Sequence, residues 1–403
     1  MLDVSEGDAE VADLVRKAFT ELVVPVKYND HNVDASLRSF NFSSIEITDA
    51  DREAYEEFTG QKKKSGGLGA LKAVGGAAGV KMPEIPPVKK NSPVAVWKYL
   101  NESNMAREMF CKWFVNPDNT SELSVDLLRN RAYFNATETE KLAVAGSARG
   151  AFDQIADDAG YELLNNTFTA VTRLRYMSGQ DMYNEIIENG AIAAALIPVP
   201  QAQEAATLAA LAAAEAAKAA IGNGYVIYST TYLYQLVWND EVQNAIEENW
   251  TNVENFKNLD CFQLRYVGSE SAYTNVLGKK FSKEQAIKLA VNRTMEKVLA
   301  KLERKYEVFR TKTPLTGLDP LTADIGTKEC LETGDKYEVL EKSIDKKTGR
   351  PVYKRKGLLV VDVVGNNIDD GSEEIEEGAP TQTVFTGKAK GLYTGMLLRQ
   401  TTK

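Results

Sequence analysis

Residues 315–403 constrain this chain more than any other stretch. Ile325-Gly326-Thr327-Lys328-Glu329-Cys330-Leu331-Glu332-Thr333-Gly334-Asp335-Lys336-Tyr337-Glu338-Val339-Leu340 leads into Arg350-Pro351-Val352-Tyr353-Lys354-Arg355-Lys356-Gly357-Leu358-Leu359-Val360-Val361. Gly391-Leu392-Tyr393-Thr394-Gly395-Met396-Leu397-Leu398-Arg399 follows. Short alternating runs separated by glycine turns predict a small all-β barrel. Such a module binds or docks more often than it catalyses.

The remaining length is enough for a second, larger core. The 403 residues carry a net charge of -9, which disfavours a general nucleic-acid binder, since those present a basic surface. Cys111, Cys261 and Cys330 are too scattered for a metal motif, and three thiols cannot all pair within one chain. Cys261 and Cys330 lie beside apolar residues, which predicts buried free thiols. The acidic start Met1-Leu2-Asp3-Val4-Ser5-Glu6 does not read as a secretory leader. No run of about eighteen uncharged apolar residues supplies an ordinary membrane span.

Val11, Leu14, Val15 and Phe19 have helical spacing and predict a helix over 5–20. Leu22 to Lys27 reads as a short strand with Pro25 at an edge or bulge, and 49–58 as a second helix. Between Gly60 and Pro93, Lys62-Lys63-Lys64-Ser65-Gly66-Gly67, Gly75-Gly76-Ala77-Ala78-Gly79 and three further prolines predict a flexible linker. Gly79-Val80-Lys81-Met82 does not complete a phosphate-binding loop. Helices are expected over 103–115 and 121–131, then from about 136 to Leu163, followed by a strand over 167–176.

Tyr225 to Trp238 is the clearest strand, because aromatic and β-branched residues fill both faces. A helix over 240–250 leads to its expected antiparallel neighbour, Cys261–Val267. Ser282 and Gln285 fit a capping box opening a helix over 282–305. Its Lys283, Lys288, Arg293, Lys297, Lys301, Arg304 and Lys305 suggest a solvated basic face. Phe309 to Pro314 reads as extended. Lys-Leu-Ala-Val recurs at 141–144 and 288–291, each before a strand, and hints at a duplicated helix–strand unit.

Residues 190–221 are alanine-rich, with charge only at Glu204, Glu215 and Lys218. Pro198 and Pro200 divide the segment into two arms, and the second has high helix propensity. It stands between two strands that a tight turn would join. Packing on the body, self-association through close helix approach and contact with a membrane are the readings open to it.

Catalytic constellations are scarce. His31, the one histidine, sits in the polar turn Tyr28-Asn29-Asp30-His31-Asn32. Asp153 and Asp157 share a helix face beside Asp158, an arrangement more typical of a solvated surface than of an acid/base pair. Asp369-Asp370-Gly371-Ser372-Glu373-Glu374-Ile375-Glu376-Glu377 lacks the ligand spacing of a calcium loop.

The pattern Ile325-Gly326-Thr327-Lys328 through Leu331-x-x-Gly334-Asp335-x-Tyr337-Glu338-Val339 resembles the SH3-like terminal domain of the flagellar assembly protein T family. Together with the segment from Gly391 to Gln400, it is also similar to the ends of Bacteroidetes envelope proteins. Over 95–315 the helix–strand blocks loosely resemble the curli secretion lipoprotein family. Its members are periplasmic α/β domains that oligomerise and carry membrane-spanning insertions between strands. The resemblance implies an SH3-like fold over 315–403, an envelope setting and a contact role for the alanine-rich insertion. It carries no catalytic residue onto this chain.

The expected fold class is therefore α+β, a helix-flanked mixed sheet body with a C-terminal SH3-like barrel. Residues 1–59 are an α/β segment of the body and 60–93 a flexible Gly/Lys/Pro-rich loop. Residues 94–314 are the body with insertion 190–221, and 315–403 the barrel with an acidic loop at 369–380. The expected function is a non-enzymatic, envelope-associated assembly or scaffold protein. Its partners would be other proteins or further copies of itself, met through 190–221, with no nucleic acid, cofactor, metal or catalytic residue. An enzyme with a dispersed carboxylate site and a cytosolic adaptor are the competing classes. A leader preceding Met1 would place the protein in the periplasm or envelope, and its absence in the cytoplasm.

Overall fold

A computed structural model of the chain describes residues 2–3, 9–22, 45–59, 92–116, 118–135, 162–195, 200–221, 224–276, 281–344, 351–367 and 380–401. Strand β1 (Leu2–Asp3) and helices α1 (Ala9–Thr20), α2 (Asp49–Thr59), α3 (Ser92–Glu102), α4 (Met105–Phe114) and α5 (Asp126–Asn135) come first. The body continues with β2 (Phe168–Ser178), α6 (Gly179–Ala195), α7 (Pro200–Ile221), β3 (Tyr225–Leu236), α8 (Asp240–Glu248), α9 (Val253–Lys257), β4 (Leu264–Val276) and α10 (Lys283–Lys305). The chain then forms β5 (Thr313–Leu318), β6 (Leu321–Ala323), β7 (Lys336–Ile344), β8 (Pro351–Val363), β9 (Thr383–Ala389) and β10 (Leu397–Gln400).

The body sheet has the order β1-β2-β3-β4, with β1 parallel to β2 and the rest antiparallel. β3 is central and buried from Val226 to Leu236, which explains why aromatic and β-branched residues dominate both of its faces. One face carries Leu174, Tyr176, Ile227 and Ala272 against α1 and α10. Val171, Tyr232, Tyr234 and Leu236 on the other face meet α3, α4, α5, α8 and α9. Further along that second face Met177, Val226 and Tyr228 pack against α6 and α7. Period-two alternation sorts the side chains between these layers.

The α+β class and the small barrel are both present. The barrel closes in the order β10-β5-β6-β9-β8-β7, with β10 pairing to both β5 and β7. Leu315, Val339, Leu359, Val361, Phe385, Met396 and Leu398 fill it. Gly334 turns into β7 at φ 94, a left-handed conformation that disfavours any residue with a Cβ.

Several boundaries differ from expectation. Helix α3 begins at Ser92, so a linker reaching to residue 93 takes in the start of a helix. Proline at position 93 is compatible with a first helical turn, where amides have no intrahelical acceptor. The two helices expected over 103–115 and 121–131 are α4 and α5, the second shifted to Asp126–Asn135. The β3–β4 connection contains two helices, and Asn239 caps the first by accepting from the Val242 amide at 2.9 Å. Of the segment Phe309 to Pro314, only Phe309 falls in a 3-10 turn, Glu307–Phe309; Arg310 is extended and the first barrel strand starts at Thr313.

The strand after α10 belongs to the barrel, whereas β2 belongs to the body sheet. The two Lys-Leu-Ala-Val segments therefore do not precede equivalent strands; the first segment, at 141–144, lies outside the described residues. The strand expected over 22–27 also falls outside them, apart from Leu22.

Candidate interaction site

Helices α6 and α7, Gly179–Ala195 and Pro200–Ile221, form a helical hairpin between β2 and β3. These strands are direct antiparallel neighbours whose last pair is Ser178 with Tyr225. The first arm starts at Gly179, well before residue 190, and grows directly from the end of β2. Ser178 and Asp181 make the junction. The Ser178 amide and hydroxyl donate to Asp181 Oδ2 at 2.8 and 2.7 Å, and the Asp181 amide donates back to Ser178 Oγ at 3.1 Å. These bonds satisfy amide donors that a helix start otherwise leaves open.

The hairpin is rooted on the sheet through Met182 and Ala217, which pack with Met177, Val226 and Tyr228. Its two helices cross closely at Gly190. A Cβ there would lie 2.3 Å from Ala210 Cβ, so only glycine permits this approach. Lys218 Nζ stands 5.1 Å from the Tyr183 ring centroid and ties the C-terminal part of α7 back to α6.

The outward side of α7 carries Glu204, Leu208, Leu211, Glu215 and Lys218, all exposed. Leu208 is 61% and Leu211 42% exposed, large values for leucines on an ordered helix. Their spacing alternates between four and three residues, which sets all five side chains along one stripe.

Two clusters of polar contacts among the described residues join the barrel to the body. At the end of α10, Arg304 donates to Asp335 Oδ2 at 3.4 Å and to the Cys330 carbonyl. The same Asp335 oxygen accepts from the Glu332 amide at 3.0 Å and from Gln400 Nε2 at 3.2 Å. At the second place, Tyr353 donates to Glu162 Oε1 and Oε2 at 2.5 and 2.7 Å, and Lys312 pairs with Glu162 at 3.0 Å. Lys312 also sits 4.3 Å from the Tyr353 ring centroid.

A cavity of about 20 Å³ lies at the first joint, lined by residues including Glu303, Arg310, Glu329, Tyr337 and Gln400. That volume accommodates one water. Burial pushes the Tyr337 hydroxyl pKa up, and nearby Glu303 and Asp335 add to the shift. The carboxylates have local donors: Thr311 Oγ1 donates to Glu303 at 2.9 Å, and the Gly326 amide to Glu329 at 2.7 Å. These groups hold the joint together.

His31, Asp153, Asp157, Asp158 and the acidic loop from 369 all lie outside the described residues. Cys111, Cys261 and Cys330 are free thiols, but half-buried rather than fully buried. Burial raises the pKa of each. Lys288, Lys297, Lys301 and Lys305 of α10 are exposed, as expected of a solvated face, whereas Lys283, Arg293 and Arg304 are half-buried. Lys283 pairs with Glu10 at 3.1 Å, Lys288 with Glu21 at 2.7 Å and Lys305 with Glu270, while Lys301 donates to the Ser271 carbonyl. Helix α10 is flanked by α1 and the sheet, so these four lysines meet this chain's own acceptors.

Among the described residues no helix is long and apolar enough to cross a membrane. No group of three or more His, Cys, Asp or Glu side chains among them is placed to hold a metal ion. No protein-family model and no curated protein matches this chain.

The joint pairs were not anticipated, since Arg304–Asp335 and Glu162–Tyr353 unite distant segments with no local signature. The stripe on α7 did have a signal. Its alternating four- and three-residue spacing was readable within the alanine-rich segment.

Proposed function

We propose that the protein is a non-catalytic assembly or scaffold component that acts through protein–protein contacts. One observation carries this reading. A rigidly rooted helical hairpin replaces the tight turn that β2 and β3 need, and it turns two leucines to solvent. The barrel is a second docking module, held at a fixed position by the two joints. A cell-envelope setting rests on the resemblances over 95–315 and 315–403.

The reading is tested by crosslinking in cells with mass-spectrometric mapping of the linked peptides. Wild-type protein is expected to give links from 200–221 to a defined partner. A Leu208→Asp/Leu211→Asp variant should lose them with an unchanged circular-dichroism melt. Absence of any link from the hairpin in wild-type cells would overturn the proposal.

A further inference from the structure

We infer that the partner of the hairpin is a second copy of this chain, docked α7 to α7 in antiparallel orientation. The inference rests on the scaffold reading and goes further by naming the occupant. Its basis is the charge pattern about Leu211. Glu204 lies seven residues before Leu211 and Lys218 seven residues after it. Seven residues are close to two helical turns, so the three side chains project from nearly the same side of α7.

A two-fold axis through Leu211 then opposes each Glu204 to Lys218 of the other copy, twice by symmetry. The paired Leu211 side chains meet at the centre. A two-fold interface requires such a self-complementary patch. A parallel pairing would set Glu204 against Glu204 and Lys218 against Lys218, so the charges select the antiparallel arrangement.

The side chains are available for this. Among the described residues neither Glu204 nor Glu215 has an ion-pair partner, and Lys218 remains exposed while resting on Tyr183. Leu208 stands beside the central leucine and would be covered as well. The surrounding Ala205, Ala212 and Ala219 do not hold the second helix away, so the paired leucines set the axes about 10 Å apart. The 22 residues of α7 span about 33 Å, long enough for both charge pairs and the leucine centre. One helix pair falls among the smaller interfaces, below about 1,200 Å², and a dissociation constant on the order of micromolar is expected.

Sedimentation velocity from about 1 to about 100 µM brackets that value. Wild-type protein should pass from monomer to dimer across the range. Glu204→Lys and Lys218→Glu should each weaken association about tenfold, since each places like charges together at both ends. The double exchange Glu204→Lys/Lys218→Glu should restore it. Leu211→Cys should form an intermolecular disulfide under air oxidation that wild-type protein does not. Circular dichroism confirms that each variant is folded. Monomer at every concentration, or single-charge variants that dimerise as the wild type does, overturns the inference. If the chain is monomeric but in-cell links from 200–221 reach a different protein, the self-pairing fails and the scaffold reading stands. If those links are also absent, both fail.

Discussion

Arg304 and Asp335 meet 3.4 Å apart where the last helix of the body reaches the barrel. The Asp335 side chain is 1% exposed and that of Arg304 is 30% exposed. The carboxylate is thus removed from water while its partner keeps access to it. The bonds from the Glu332 amide and Gln400 reach the same Oδ2 and join α10, the turn before β7 and β10 at one point.

Replacing Asp335 with alanine should therefore cost about 3 kcal/mol. The half-buried guanidinium and the Glu332 amide would lose their acceptor together. Urea denaturation measures the loss. A change below about 0.5 kcal/mol, the range of ordinary surface substitutions, would show that Asp335 does not hold the joint.

A second prediction concerns the sheet beneath α10. Thr172 and Thr231 are 1% and 0% exposed, and their hydroxyls lie 2.8 Å apart. Thr231→Val keeps the shape but deprives the Thr172 hydroxyl of this bond, at a cost of about 1–3 kcal/mol. The double replacement Thr172→Val/Thr231→Val should cost less than the sum of the single changes, because both polar partners leave together. A double-mutant cycle by chemical denaturation checks this, and strict additivity would mean that the hydroxyls are not coupled.

Much of this architecture could be read from the chain, for identifiable reasons. Gly334, Gly391 and Gly395 all occupy positive φ, so the turns that close the barrel were marked by residue type. Ser282 and Gln285 exchange the two expected capping bonds, at 3.2 and 3.0 Å. The alanines of α7 announced a helix through propensity alone. By contrast, Ser92-Pro93 opens α3 although the expected linker ran to residue 93. The joints could not be read because Glu162 and Tyr353 are separated by 191 positions. The two Lys-Leu-Ala-Val segments precede strands of different sheets, and four matching residues say nothing about the sheet that the next strand joins.

The Gly190–Ala210 crossing gives a third prediction. Alanine at 190 gains about 1 kcal/mol of helix propensity over glycine, but its methyl would lie 2.3 Å from Ala210 Cβ. The arms must then separate, at a net cost of about 1–2 kcal/mol, because overpacking exceeds the propensity gain. Adding Ala210→Gly should recover part of the loss. Thermal melts followed by circular dichroism measure both variants. A stabilised Gly190→Ala protein would mean that the helices do not cross at this point.

The last prediction concerns Asp51, which joins α2 to α3. Its Oδ2 accepts from the Thr48 hydroxyl and amide at 2.7 and 2.8 Å and pairs with Lys98 Nζ at 3.0 Å. These bonds, the Thr48 hydroxyl first, lower its pKa from 3.8 to about 2. A carboxylate with a depressed folded-state pKa binds fewer protons in the folded state than in the unfolded one. Its contribution is therefore complete above the ordinary value and is lost as pH falls toward and through about 2. The stability difference between wild type and Asp51→Asn should be constant near neutrality and shrink as pH drops below about 4. Carbon-detected NMR titration of the Asp51 carboxyl gives the midpoint directly. A midpoint at the ordinary 3.8 would mean that the Thr48 and Lys98 contacts do not hold the charge.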